Sequence, residues 1–297
     1  MKKQIYTPMH PSKRETIEIR GLPYCIHTWG DPDRTAVYLL HGWADTGLSF
    51  QFLADEMATD YFLIAPDWRG FGESGWSPQG YWFPDYLADL ECIIEHFSGP
   101  AAISLIGHSM GGNIACLYAG IRPQRLSHLI SLDVFGLPDS DAARAPERYA
   151  QWLNQLQAQQ SFSEYENIDT LVQHIEKLAP GISPERAKFI ADSWAKPRAC
   201  GYGFTVKADP AHKRVNPVLY RREEAQGCWR KIIAKTLFLY GEDSRFYKSY
   251  REDGFQEECR SSIENLSDDC LADASHMLHL QQPEALAERV KLFLTSD

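Results

Sequence analysis

Residues 101–121 read AAISLIGHSMGGNIACLYAGI. The first part is a short apolar run with the character of a buried strand, and the part from Met110 to Ile121 has the spacing of a helix. Between them lies Gly107-His108-Ser109-Met110-Gly111-Gly112. A serine placed between a strand and a helix must sit on a sharp, strained turn. Side chains two residues to either side would collide with that turn, and glycines at 107 and 111 remove the crowding. Such a turn lifts the hydroxyl above the sheet. It also directs the Met110 N–H and the helix N-terminus toward a point where negative charge could develop. A match to G-x-S-x-G alone arises by chance, and a glycine-rich turn with a structural serine is the competing reading. The strand before and the helix after favour the nucleophile.

The chain on both sides of this turn repeats its plan. TAVYLLHG (35–42), YFLIAPD (61–67) and LSHLISLDVFG (126–136) are further strand candidates, and 48–59 and 83–97 have helical spacing. Apolar strands without strict alternation, separated by helices, predict a mostly parallel, twisted sheet covered by helices on both faces. ETIEIRGLPYCIHTWG (15–30) alternates instead and predicts an antiparallel hairpin at the sheet edge, turning at Gly-Leu-Pro. Residues 138–230 contain no convincing core strand. They hold a Gln-rich helix over 147–160, a helix capped by Asp169 and stopped at Pro180-Gly181, and another opened by Ser183-Pro184. The strand pattern resumes at KTLFLYGEDS (235–244), and Pro283-Glu284 opens a final helix. The expected organisation is a core of residues 1–137 and 231–297 with a helical cap, 138–230, inserted after the fourth strand.

Composition narrows the partners. Thirty basic against 40 acidic side chains give a net charge of -10, which repels phosphate backbones and anionic lipid heads. Neither nucleic acid nor a membrane is an expected partner. Seven cysteines, an odd number with no C-x-x-C pair, suggest reduced thiols rather than a disulfide framework or a zinc site. The opening MKKQIYTPMHPSKRETIEIR lacks the apolar stretch of a signal peptide, and no run approaches the roughly 18 apolar residues of a membrane span. The expected setting is cytoplasmic, as a monomer or homodimer, with no metal and no cofactor.

Four motifs in order resemble the α/β-hydrolase family along nearly the whole chain. They are His41-Gly42-Trp43 after the first core strand, Asp67-Trp68-Arg69-Gly70-Phe71-Gly72-Glu73-Ser74 after the next, the Ser109 turn, and Ala274-Ser275-His276-Met277 near the C-terminus. In the last, Ser275 replaces the family's usual glycine. Asn216 to Ile232 also resembles the return from the cap in bacterial serine-hydrolase-like proteins. The resemblance implies a serine hydrolase with Ser109 as nucleophile and His276 as its base, because a hydroxyl is a poor nucleophile until a base takes its proton. It implies an oxyanion hole from the Trp43 and Met110 N–H groups and a substrate site beside His41, Gly42 and Trp43, with the Trp43 ring walling an acyl pocket. The histidines within motifs, His41 and His108, are structural in the family. Asp67 and Arg69 read as braces of the loops rather than catalysts.

Two aspartates compete for the acid that fixes the imidazole. Asp243 follows KTLFLYG, where many relatives carry their acid, but the usual place is one residue later, at Ser244. Asp133 ends the strand before the cap, as in a subset of the family that includes some haloalkane dehalogenases. Asp133 is the first choice and Asp243 the alternative. The expected substrate is a small ester-like molecule, cleaved through an acyl-enzyme. C–C bond hydrolysis, thioester hydrolysis, acyl transfer and non-catalytic binding remain open on the same fold. Dehalogenation and epoxide opening are disfavoured, since those branches use an aspartate where this chain has Ser109. Cap aromatics such as Trp152, Phe162, Phe189 and Trp194 divide between cap core and substrate channel.

Overall fold

Two antiparallel strands lead the sheet, β1 (Lys13–Ile19) and β2 (Leu22–Trp29), paired from Lys13 opposite Thr28 to Ile19 opposite Leu22. The turn is Arg20-Gly21, with φ of 51° and 78°, and not the expected Gly-Leu-Pro. Both positions need the left-handed region of a two-residue hairpin turn, which glycine adopts without strain. Pro23 is accommodated inside β2 because the next strand pairs with β2 only from Ile26 onward. The computed structural model describes residues 5–252 and 254–296. The first four residues of the expected leader-free N-terminus, and the side chain of Cys259, lie outside that description. The other six cysteines are free thiols.

The remaining strands in chain order are β3 (Ala36–Leu40), β4 (Phe62–Pro66), β5 (Ile103–His108), β6 (Leu126–Leu132), β7 (Ala195–Pro197), β8 (Phe204–Val206), β9 (Lys235–Gly241) and β10 (Leu266–Leu271). Among the described residues one eight-stranded sheet runs β1-β2-β4-β3-β5-β6-β9-β10 and is parallel from β4 to β10. All six residues of β5 are buried, as a central strand covered on both faces requires. Successive residues of β3 enter opposite cores: Tyr38 and Leu40 join one apolar cluster, Val37 and Leu39 the other. The first is closed by α2 (Phe83–Ser98) and α3 (Met110–Ile121), the second by α1 (Gln51–Met57) and α11 (Pro283–Thr295). The edge strand β10, LSDDCL, was not foreseen. Its aspartates hide the apolar signal and also discourage pairing with another chain.

Between β6 and β9 the described chain is mainly helical: α4 (Ala145–Gln157), α5 (Ile168–Leu178), α6 (Pro184–Trp194) and α7 (Arg222–Trp229). β7 and β8 add a small antiparallel pair. The α5 cap is Asn167, not Asp169: its side chain accepts the Thr170 N–H at 3.0 Å, while the Thr170 hydroxyl receives the Asn167 N–H. Ser183 caps α6 as expected. Apolar residues of α5 and α6, with Leu171, Ile175, Ile190 and Trp194, pack onto core residues Phe52, Met277 and Leu280. Two helices, α8 (Arg245–Glu252) and α9 (Phe255–Ser262), follow β9, and α10 (Leu278–Gln281) precedes α11. No helix among the described residues is long and apolar enough to cross a membrane.

Candidate active site

Ser109 stands between β5 and α3 with φ of 52°. A non-glycine residue held there stores about 1–3 kcal/mol of strain. The surroundings enforce it: the Ser109 N–H is bound to the Leu132 carbonyl, and its own carbonyl accepts the Asn113 N–H that starts α3. A Cβ at Gly107 would stand 2.4 Å from the Gly111 carbonyl oxygen, and one at Gly111 would stand 2.1 Å from that of Leu40. The turn is thus pressed onto the end of β3, and only bare backbone fits. Met110 opens α3, where the first N–H groups have no partner inside the helix.

His276 lies in the loop between β10 and α10. Its Nε2 is 3.1 Å from Ser109 Oγ, and its Nδ1 is 2.7 Å from Asp133 Oδ2. Asp133 is fully buried, with φ of 53°, in the turn that leaves β6. Its backbone N–H binds the Leu239 carbonyl at 2.9 Å. Oδ1 accepts the Gly241 N–H at 3.2 Å, and Oδ2 accepts the Ser244 hydroxyl at 2.5 Å as well as the imidazole. An ionised carboxylate only accepts, so the hydrogen of a neutral His276 sits on Nδ1 and the Nε2 lone pair faces the serine. The His276 carbonyl is held by His108 Nε2 at 2.7 Å, and the Phe246 ring lies 4.8 Å from the imidazole. Burial, and then the neighbouring His279 and His276, hold His108 well below its ordinary pKa, so it braces the loop as a neutral ring.

Asp243 is elsewhere. Its backbone N–H binds the Ala274 carbonyl, and its exposed side chain lines a surface pocket with Asp273 and Gln282. The alternative acid is corrected on that geometry, because the residue after β9 that reaches inward is Ser244. Gly42 does adjoin the nucleophile: a Cβ there would meet Ser109 Cβ at 3.2 Å. Trp43 is half-exposed, with its ring 5.4 Å from Phe162 of the cap segment. His41 is corrected as a substrate contact. It is fully buried, with Nδ1 at 2.7 Å from the Gly42 carbonyl and Nε2 accepting the Trp68 N–H at 2.9 Å, so both nitrogens brace the loop.

The loop after β4 is anchored by Asp67 and Arg69. Asp67 accepts N–H groups of Gly47 and Glu73 at 2.7 and 2.9 Å. Burial pushes its pKa up, but His27, His41 and these amides outweigh that and hold it low. Arg69 grips buried Asp89 through two bonds of 2.5 and 2.6 Å, and Tyr24 donates to the same carboxylate. Neither side chain approaches Ser109 Oγ by any hydrogen bond. Among the described residues two buried groups present three metal-type ligands each, Cys25-His27-Asp67 and Asp45-His108-His279. In both the carboxylate already serves the fold: Asp67 as above, and Asp45 by accepting Thr46 N–H and Trp194 Nε1–H.

Residues 35–280 match the family model described as the alpha/beta hydrolase fold. This chain is an α/β hydrolase. It is 27% identical over 285 residues to a serine hydrolase-like protein of Danio rerio, covering 93% of this chain and 85% of the relative. It is 33% identical over 111 residues to a 3-hydroxybutyrate-oligomer hydrolase of Cupriavidus necator, covering 36% of this chain and 38% of that one. Its fold is similar to the thioesterase domain from the curacin biosynthetic pathway, with a TM-score of 0.83, 24% identity, and coverage of 96% and 100% of the two chains.

Two features of the hydrolase's site escaped sequence reasoning. Ser244 stood out only as the residue at the family's usual acid place, and the packing of the β6 and β9 ends is what reveals its bond to Asp133. The cap's grip on the core was also hidden. It comprises Trp194 Nε1–H to Asp45 Oδ1 at 2.9 Å, Thr46 to Ser193 at 2.9 Å, and His212 stacked between Phe71 and Tyr81.

Proposed function

We propose that this α/β hydrolase cleaves carboxylic esters through an acyl-enzyme on Ser109, with His276 as general base and acid and Asp133 as its orienting carboxylate. The observation that carries the reading is the continuous contact from Ser109 Oγ through both His276 nitrogens to Asp133 Oδ2. Attack forms the Oγ–C bond while the Ser109 proton passes to Nε2. The displaced electron pair rests on the carbonyl oxygen, facing the N–H groups of Met110 and Trp43. Collapse breaks the C–O bond, and His276 returns the proton to the leaving alcohol. Water then repeats the sequence and frees the acid. The similarity over 111 residues to a 3-hydroxybutyrate-oligomer hydrolase supports an ester as the acyl donor. The Trp43 ring, on the residue after Gly42, packs on Phe162 at 5.4 Å and supports an apolar acyl group.

A short-chain nitrophenyl ester tests the reading. A burst of nitrophenol and labelling of Ser109 by a fluorophosphonate are expected, both absent in Ser109→Ala. Turnover surviving in that variant would sink it. Thioester and diketone substrates run in parallel identify the bond that is cut fastest.

A further inference from the structure

We infer that Ser244 is a positioning residue for the triad. The inference rests on the triad reading above. Ser244 is buried, at the turn where β9 passes into α8. Its single hydroxyl proton goes to Asp133 Oδ2 at 2.5 Å, the same oxygen that receives His276 Nδ1–H at 2.7 Å. Its lone pair accepts the Phe246 N–H at 3.1 Å. Both hydrogen-bonding directions of the hydroxyl are therefore set, and it cannot turn elsewhere without orphaning an amide. With Gly241 N–H on Oδ1, the donors hold the carboxylate plane against the ring. Removing the hydroxyl leaves Oδ2 with the imidazole as its remaining partner, so the buried carboxylate gains freedom to swing.

The test uses the full chain and a nitrophenyl ester. Ser244→Ala is expected to lower kcat roughly ten-fold with KM unchanged, and Ser244→Thr, which keeps the hydroxyl, to recover most of it. Asp133→Ser is expected to lose on the order of 10^4 in kcat. A Ser244→Ala kcat within about two-fold of the parent overturns the inference, as does a Ser244→Thr variant with native melting behaviour that is no faster than Ser244→Ala. Ser109→Ala separates the two readings. If it is dead while Ser244→Ala is unaffected, the inference alone falls. If it remains active, the triad reading falls first.

Discussion

The strand ends of the core and the helices of the cap are built by opposite rules. At the core, strained and buried groups are held from several sides: Asp133 by four hydrogen-bonding partners, Arg69 by a two-bond grip on Asp89, Ser109 by backbone pressed against β3. Helix α4 of the cap is held loosely. The described residues of α4 include none that is buried, and Tyr149, Leu153 and Leu156 face outward. The rest of the cap joins the core through two apolar clusters, one with α5 and α6 and one with Phe162, Val206, Ala225 and Trp229, and through polar latches. Strain at a reacting group persists only where the surroundings over-determine it. On the proposed function, reactivity sits in the core, and α4 is the part with the fewest constraints.

The difference predicts that core variants lose chemistry or global stability and cap variants lose little of either. The largest effect is expected for Ser109→Ala, a fall of about 10^6 in kcat with no loss of melting temperature. Equal loss of stability would mean the serine is a structural part of the turn. Next, Asp133→Asn is expected to cost on the order of 10^4 in kcat, since the amide presents the wrong partner to Nδ1. Asp243→Asn, on the exposed side of the same strand ends, should leave kcat within about two-fold.

Arg69→Met tests rigidity away from the chemistry. It leaves buried Asp89 with Arg20 as its remaining cationic partner at 3.1 Å, and denaturant unfolding should show a loss of about 3 kcal/mol. Trp194→Phe breaks the cap's latch on Asp45 and should cost about 1–2 kcal/mol, with kcat changed less than stability. A larger fall in kcat would show that the latch also sets the active-site loops.

The smallest effect concerns pH. Burial pushes the His212 imidazole down from 6.5 to about 3. The unfolded chain takes up that proton near pH 6.5 and the folded chain resists it. The stabilising contribution is complete above that value and is lost progressively as pH falls from about 6.5 toward 3. Melting temperature followed over that interval should fall more steeply for the parent than for His212→Asn. Parallel curves would show that His212 does not carry this dependence.

Much of the core was legible because its signals are local. The predicted strands at 35–42, 61–67 and 101–109 and the helix from Met110 to Ile121 match the structure within a few residues. Each is an apolar run whose periodicity names its own environment. Signals failed where polar residues occupy strands or where a neighbour decides the role. β10 is masked by Asp268 and Asp269, and Asp169 lost the cap of α5 to Asn167 through a side-chain exchange with Thr170. His41 precedes Gly42, which adjoins Ser109, yet its own ring is turned inward to hold Trp68.

The order of motifs along the chain pointed to the family, to the sharp bend at 109 and to an imidazole in the loop before the last helix, since each depends on residues close in sequence. The choice between two carboxylates depended on something no linear reading contains. β6 and β9 lie side by side, so residues more than a hundred positions apart compete for one ring nitrogen. A difference of one residue after Gly241 turns Asp243 to solvent and Ser244 inward. Chain packing, acting over hydrogen-bond distances, made that decision.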